Sequence, residues 1–134
     1  CIPTTSPLRK VEDIDACIRL LLKGDSDIVI TVKSAARSPY YNMVVIDDDG
    51  YAQLVIPPSK SIHQGHHVSA VYDMTTVAYA AKPSYVLEMD YIFDGRVKAV
   101  VVESETGMDI DSEMDLAIAE FLSDMTSRRE SSSL

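Results

Sequence analysis

"VEDIDACIRLLLKGDSDIVITVK", residues 11–33, is the stretch that decides the fold. Pro7 precedes its first half and Gly24 follows it, which is typical of the start and the stop of a helix. Within that half the apolar residues recur at helical spacing, at Val11, Ile14, Ile18 and Leu21. The second half, 27–33, is a β-branched run of the kind that is buried in a central sheet. A helix that leads directly into such a strand predicts an α/β protein.

The rest of the chain continues this alternation. Two apolar runs flank Asp47-Asp48-Asp49-Gly50 within 42–56, which predicts a β-hairpin whose turn uses the glycine. A cation site is the alternative for the three aspartates. The pattern further predicts a strand at 71–81, a short helix from Pro83 to Met89, a strand at 96–104, and a last helix that starts near Asp111 or Ser112 with Met114, Ile118, Phe121, Leu122 and Met125 on one face. We therefore expect an α/β sandwich whose main sheet is mostly parallel, with ligands at the carboxyl ends of its strands.

The amino-acid composition argues against several classes of binding partner. The 134 residues make about one domain with a real core, and the net charge of -9 argues against phosphate backbones and anionic lipid as partners. Cys1 and Cys17 match neither a disulfide framework nor a zinc spacing, so both are predicted to be small apolar residues in a reducing compartment. No apolar run is long enough to span a membrane and no signal peptide is recognisable, which predicts a cytoplasmic protein without nucleic-acid or membrane partners.

The two ends of the sequence also carry expectations. The chain begins without Met, with residues that resemble the end of a buried strand, which suggests a fragment. After Thr126 the segment 127–134 has little to bury and is predicted to be disordered.

An acidic stretch, "GMDIDSEMDLAIAEF" at 107–121, is the strongest candidate for chemistry. In an extended chain Asp109 and Asp111 point to the same side, so they could hold one Mg²⁺ together with substrate phosphates and water. The alternative is structural, with Asp111 or Ser112 capping the last helix and Asp115 completing a capping box. A calcium loop is rejected, because the position that needs glycine is occupied by Met114.

Three histidines, His63, His66 and His67, crowd the polar loop 57–67. No cysteine accompanies them, and neighbouring side chains cannot easily face one ion. Solvation or ligand contact is therefore favoured over a zinc site.

Four motifs together resemble one family: "TTSPLRKVEDIDACI" at 4–18, "SPYYNM" at 38–43, "VYDMTTVAYAA" at 71–81 and "MDIDSEMDLAIAEF" at 108–121. They are similar to the CMP-sialic acid synthetases, the acylneuraminate cytidylyltransferases, from Thr4 to Leu122. The resemblance implies a three-layer α/β sandwich of the nucleotide-diphospho-sugar transferase type. It also implies transfer of CMP from CTP to a nine-carbon 2-keto sugar acid, with release of pyrophosphate.

The same resemblance implies roles for particular residues. Asp109 and Asp111 would be catalytic and would hold the Mg²⁺ or Mn²⁺ that organises the triphosphate. The family's Asn-Gly-x-x-Tyr motif falls on Thr75, Thr76 and Tyr79, so only the tyrosine is retained. The expected substrate-binding residues are Tyr79, Phe93, Thr75, Tyr41 and Ser6.

Departures from the family limit the prediction. A glutamine common in the family is replaced by Pro3, and a basic residue that often pairs with the sugar carboxylate falls near Gly65, so His66, His67 or Lys60 would have to neutralise the acid. The acceptor is therefore a sialic-acid-like sugar that can differ from sialic acid, for example another nonulosonic acid.

The family's first half, with its glycine-rich loop for the triphosphate, has no counterpart in the sequence. We expect residues 1–126 to form the acceptor-sugar and metal half of a cytidylyltransferase domain, inactive alone and dependent on the complete enzyme for CTP. The resemblance also makes the hairpin 42–56 and the loop 57–67 a homodimerisation element. The competing hypothesis is a non-catalytic dimerisation or sugar-binding module of the same fold.

Overall fold

The computed structural model describes residues 1–57 and 69–131. Within them the elements are, in chain order, α1 (Val11–Leu22), β1 (Ile28–Ser34), β2 (Val44–Ile46), β3 (Ala52–Leu54), β4 (Tyr72–Ala81), α2 (Pro83–Glu88), β5 (Val97–Val101) and α3 (Glu113–Ser131). The chain divides into a first unit, residues 1–33 with 74–134, and a second unit, residues 34–73. None of the helices among the described residues has the length and apolar character needed to cross a membrane.

The helix and strand predicted from 11–33 are confirmed. α1 ends at Leu22, and Gly24 follows with a φ of +84°, a conformation that glycine adopts without steric cost. β1 is buried from Ile28 to Val32, as expected for a β-branched run in the centre of a sheet. The start of the fold is therefore determined by local pattern.

The main sheet has three described strands in the order β4-β1-β5, so β1 is central. β1 and β5 are parallel and in continuous register, with Ile28 opposite Val97 and Val32 opposite Val101. A parallel pair needs a long crossover connection, which the chain between Ser34 and Val97 supplies.

β4 runs antiparallel to β1. The amide of Lys82, just after β4, donates to the carbonyl of Asp27, just before β1, at 3.0 Å. At the other end the amide of Ala35 donates to the carbonyl of Val71 at 3.1 Å. The three described strands thus form a mixed sheet, and the expectation of a mostly parallel sheet is not met by them.

Both faces of this sheet carry apolar clusters, because side chains of β1 alternate between them. On one face Val29 packs with Cys17 of α1, joined by Val77, Ala78 and Val102. On the other face Ile28, Ile30 and Val32 pack with Tyr85 of α2. The prediction that the cysteines are small apolar residues is confirmed for Cys17, which is free and buried, but Cys1 is exposed.

The second unit contains the predicted hairpin. β2 and β3 pair antiparallel, with Val45 opposite Gln53. Asp47 closes the turn, because its carboxylate accepts the amides of Asp49 and Tyr51 at 3.2 and 2.8 Å, and Gly50 has a φ of +88°. The three aspartates therefore form a turn, as favoured over a cation site.

α3 differs from its prediction in two respects. It extends to Ser131, beyond the expected end near Thr126, and residues 132–134 lie outside the described part. The apolar side chains expected on a common face are largely exposed, with Met114 at 71% and Phe121 at 63%. Among the α3 residues whose side chains are described, Ala119 is buried, with 4% exposure.

A cluster of ion pairs lies at the amino end of β1. The carboxylate of Asp27 accepts hydrogen bonds from Lys82 at 3.0 Å and from the Arg96 guanidinium at 3.2 Å. The hydrogen bond from Arg96, together with Lys82, holds the pKa of Asp27 far below its usual range. Next to it, the hydroxyl of Tyr85 accepts the amide of Gly95 and donates to the Ile92 carbonyl at 2.7 Å.

Candidate functional site

The acidic stretch begins at Gly107, shortly after β5 ends at Val101, and backbone hydrogen bonds fix its position. The amide of Gly107 donates to the carbonyl of Glu103 at 3.0 Å, and the amide of Ile110 donates to the carbonyl of Thr5 at 2.9 Å. These bonds place the segment that carries Asp109 and Asp111 beside the first residues of the "TTSPLR" motif. Two of the motifs are thus neighbours although more than a hundred positions separate them in the sequence.

The "TTSPLR" motif is itself fixed onto β4. The hydroxyl of Ser6 lies 2.7 Å from that of Thr76. The guanidinium of Arg9 donates to three carbonyls, those of Pro3, Ser6 and Val77. Arg9 therefore acts as a clamp between this turn and the strand, a role that spacing alone did not indicate.

Asp109 and Tyr79 lie close together. One carboxylate oxygen of Asp109, Oδ1, is buried and has no hydrogen-bond partner. Partial burial raises the pKa of the Tyr79 phenol, and the charge of Asp109 raises it further. A buried carboxylate oxygen without a donor is costly, so its position calls for a cation or a donor supplied by a ligand.

Asp111 is exposed, and the capping of α3 is performed by its neighbours. The hydroxyl of Ser112 donates to Oδ2 of Asp115 at 2.7 Å, and the amide of Asp115 donates to the Ser112 hydroxyl at 3.3 Å. The hydrogen bond from Ser112 lowers the pKa of Asp115. The predicted capping box is confirmed for Ser112 and Asp115, and the carboxylate of Asp111 has no hydrogen bond or ion pair among the described residues.

A divalent cation fits this donor set. Asp109 contributes a buried oxygen without a partner and Asp111 an accessible carboxylate. No group of three or more His, Cys, Asp or Glu side chains arranged for a metal occurs among residues 1–57 and 69–131. A site of one or two carboxylates, completed by substrate oxygens and water, is the pattern that Mg²⁺ accepts.

Two of the expected substrate-binding residues near Asp109 use their hydroxyls inside the protein. Ser6 is 0% exposed and bonds to Thr76, while Thr75 is 3% exposed and donates to the hydroxyl of Thr31 at 2.8 Å. Thr31 also accepts the amide of Ala78 at 3.2 Å. The Thr75 hydroxyl joins β4 to β1 and the Ser6 hydroxyl joins the "TTSPLR" motif to β4, so the geometry gives no support to direct contact with substrate.

The other two candidates are not joined to Asp109 by any described contact. Tyr41 belongs to the second unit, where it is exposed and lines a cavity of about 250 Å³ with Arg37 and Asn42. Phe93 is exposed in the turn before Arg96, whose carbonyl accepts the amide of Asp27 at the amino end of β1. The substrate roles of Tyr41 and Phe93 stay predictions. His63, His66, His67 and Lys60 lie outside the described residues.

Lys33 is a neighbour of the acidic stretch that the sequence did not single out. Its ammonium donates to the carbonyl of Gly107 at 3.1 Å, two positions before Asp109. A Cβ added to Gly107 would lie 3.0 Å from Cγ2 of Thr75 and 3.2 Å from Cδ of Lys33. The sequence could have indicated Lys33 through its position. It lies at the carboxyl end of the predicted buried strand, and α/β sheets bind ligands at that end of their strands.

A cavity of about 280 Å³ lies between α1 and β4. Apolar side chains such as Ile14, Ile18 and Leu21 line it, and no residue from 107 to 111 does. An apolar cavity does not suit the binding of a cation, which the carboxylates suggest, so we place the candidate site at Asp109 instead.

Comparison with solved structures identifies the class of fold. The chain resembles the 4-diphosphocytidyl-2C-methyl-D-erythritol synthase of Anaerococcus prevotii with a TM-score of 0.53 and 20% identity, over 89% of this chain and 55% of that one. The architecture is therefore a nucleotidyltransferase-type α/β fold. No family model matches the sequence.

Sequence comparison identifies the relatives. The chain is 29% identical to the post-translational flagellin modification protein B of Campylobacter coli, over 90% of this chain and 50% of that protein. It is 34% identical to the CMP-N,N'-diacetyllegionaminic acid synthase of Campylobacter jejuni, over 70% of this chain and 39% of that protein. The chain thus spans half or less of the length of these relatives, and its resemblance to the CMP-sialic acid synthetase family is confirmed.

Proposed function

We propose that this chain is the acceptor-sugar and metal half of a Mg²⁺-dependent cytidylyltransferase. The reaction of the complete enzyme is CTP plus a nonulosonic 2-keto sugar acid to CMP-sugar plus pyrophosphate. The relationship to a CMP-N,N'-diacetyllegionaminic acid synthase supports this class of acceptor. The observation that carries the proposal is the buried oxygen of Asp109, which has no hydrogen-bond partner and whose charge acts on Tyr79.

The chain's own residues have distinct roles in this proposal. Asp109 and Asp111 hold the metal, which when bound neutralises negative charge on the phosphates. Tyr79 presents a protonated phenol as a hydrogen-bond donor to the sugar, because burial and the nearby carboxylate raise its pKa. Ser112 and Asp115 cap the start of α3, directly after the two proposed metal ligands.

A metal titration tests the proposal. Mg²⁺, and separately Mn²⁺, is added to the chain with and without N-acetylneuraminic acid while heteronuclear NMR follows the amides of Met108 to Glu113. We expect shifts with Mg²⁺ and broadening with Mn²⁺ centred on Asp109 and Asp111, and stronger effects with the sugar acid. Asp109→Asn should abolish them, whereas Asp124→Asn, at an exposed position of α3, should not. A folded chain whose amides do not respond to either metal would sink the assignment.

We also propose that the chain alone does not turn over. Its net charge of -9 repels a triphosphate, and its sequence has no glycine-rich loop bearing Lys and Arg to supply the necessary donors. An assay with CTP, Mg²⁺ and a sialic acid should give no pyrophosphate above background. Clear release of pyrophosphate would overturn this part.

Self-association, which the enzyme and the alternative non-catalytic dimerisation module would share, is supported by one observation. The hairpin of the second unit exposes apolar side chains, with Val45 at 56% and Ile46 at 69%. We propose that this hairpin associates with that of a second copy, as part of a three-layer cytidylyltransferase that is a homodimer. Ile46→Lys should then convert dimer to monomer in sedimentation experiments, while Val86→Lys, an exposed apolar position on α2, should not. A monomeric wild-type chain would contradict the dimer.

A further inference from the structure

Among the described residues, Lys33 is a charged group near the acidic stretch whose chemistry the proposed function does not use. It lies at the carboxyl end of β1, it is partly buried, and its ammonium donates to the carbonyl of Gly107. An ammonium has three donors, and this bond uses one of them. Two donors are therefore available to a further partner.

No carboxylate of the described residues neutralises Lys33. The ion pairs that involve a lysine join Lys10 to Glu103, Lys82 to Asp27 and Lys98 to Asp25. The sequence from 58 to 68, which the structure does not describe, contains neither Asp nor Glu. A partly buried cation without a counter-charge is unfavourable, so the position of Lys33 calls for an anion that is not part of these residues.

The other cation near the acidic stretch cannot take this role. The guanidinium of Arg9 is committed to the carbonyls of Pro3, Ser6 and Val77. Lys33, by contrast, reaches the backbone two residues before Asp109 at a place where Gly107 leaves room for its stem. The site thus combines a carboxylate without a partner and a cation without a counter-ion.

We propose that Lys33 binds an anionic oxygen group of the ligand, a carboxylate or a phosphate, beside the metal-binding segment. The inference rests on the proposed function and adds a residue that recognises the acid. A carboxylate would come from the sugar acid and a phosphate from the nucleotide. Either would receive a charge-assisted hydrogen bond from the ammonium while Asp109 and Asp111 keep the metal.

The test uses variants that separate charge from backbone anchoring. Lys33→Gln retains a donor for the Gly107 carbonyl and removes the charge, whereas Lys33→Arg retains both. Lys98→Gln is the matched control, since Lys98 is a strand lysine paired with Asp25. The probes are N-acetylneuraminic acid and inorganic phosphate, each titrated at fixed Mg²⁺ while the NMR shifts of Gly107 and Met108 report binding.

We expect Lys33→Gln to bind one probe about tenfold more weakly or worse, the usual scale for losing a hydrogen bond to a charged group. The probe that weakens identifies the source of the anion. Lys33→Arg and Lys98→Gln should bind like the wild type. Unchanged affinity of Lys33→Gln for both probes, or an equal loss in Lys33→Gln and Lys33→Arg, would overturn the proposal.

The Mn²⁺ experiment separates this failure from failure of the proposed function. If Mn²⁺ still broadens Asp109 and Asp111 while Lys33→Gln binds both probes normally, only the assignment of Lys33 is lost. If Mn²⁺ leaves the wild-type amides unaffected and neither probe binds, both proposals are overturned.

Discussion

Replacing Ser112 by alanine is expected to loosen the first turn of α3 and to leave metal binding intact. The Ser112 hydroxyl donates to the carboxylate of Asp115 at 2.7 Å and accepts its amide at 3.3 Å. Alanine removes both bonds and leaves an amide at the helix start without a partner. Loss of such a cap costs about 1 kcal/mol, which raises the opening equilibrium about fivefold.

The structure indicates how to measure this effect. α3 buries Ala119 but leaves Met114 and Phe121 largely exposed, so the helix is expected to open locally before the whole protein unfolds. Amide hydrogen exchange at Asp115 and Leu116 is therefore more sensitive than a melting temperature. We expect about fivefold faster exchange at both amides in Ser112→Ala, and no change in Ser104→Ala, at an exposed serine outside the helix.

Asp111→Asn is expected to weaken metal binding and to leave the first turn of α3 unchanged. The carboxylate of Asp111 takes no part in the Ser112–Asp115 bonds, so the exchange at Asp115 should keep its wild-type rate while Mn²⁺ broadening weakens. If Asp111→Asn accelerates exchange as much as Ser112→Ala and binds Mn²⁺ normally, then Asp111 is a cap and its metal role is refuted. If Ser112→Ala does not accelerate exchange, the capping argument itself is wrong.

Three further predictions concern the framework around the site. Gly95→Ala should lower the free energy of unfolding by about 1–3 kcal/mol. The new Cβ would lie 2.5 Å from Cε2 of Tyr85, whose hydroxyl is held by hydrogen bonds. A denaturant titration measures the change, and an unchanged free energy of unfolding would contradict the close packing. Asp27→Asn should lower the melting temperature at neutral pH. Because the pKa of Asp27 is depressed in the folded state, its contribution is present above about pH 4 and declines as the pH falls, so the difference from wild type should shrink in acid; a difference that grows in acid would contradict this sign. Burial raises the pKa of the Cys17 thiol to about 11, so iodoacetamide at about pH 8 should alkylate Cys1 in the native chain and Cys17 only after denaturation, as mass spectrometry can verify; rapid labelling of native Cys17 would contradict its burial.

The local sequence pattern was sufficient to predict those helices, strands and turns whose own residues carry a clear signal. The helical spacing from Val11 to Leu21 and the β-branched run after it predicted α1 and β1, because burial on one face and burial in a central strand leave direct traces in the sequence. The Asp-rich turn ending in Gly50 predicted the hairpin for the same reason. Motifs spread over the chain further predicted the family, and its relatives confirm it.

Contacts between distant segments could not be predicted in this way. Helical periodicity places Met114 and Phe121 on a common face, but both side chains are largely exposed, whereas Ala119 is buried. Whether β4 pairs parallel or antiparallel to β1 depends on which backbone groups of β1 it contacts. The pattern of apolar residues in a single strand does not distinguish the two directions.

The sequence by itself predicted the local elements, which are encoded in neighbouring residues, and its motifs predicted the family resemblance and the two candidate metal ligands. Only the tertiary structure decided that Ser112 rather than Asp111 caps α3, that the charge of Asp109 acts on Tyr79, and that Lys33 reaches Gly107. The physical reason is that a carboxylate or an ammonium takes its role from the donors and charges around it. Those neighbours come from strands and turns that are far apart along the chain and meet only when it folds.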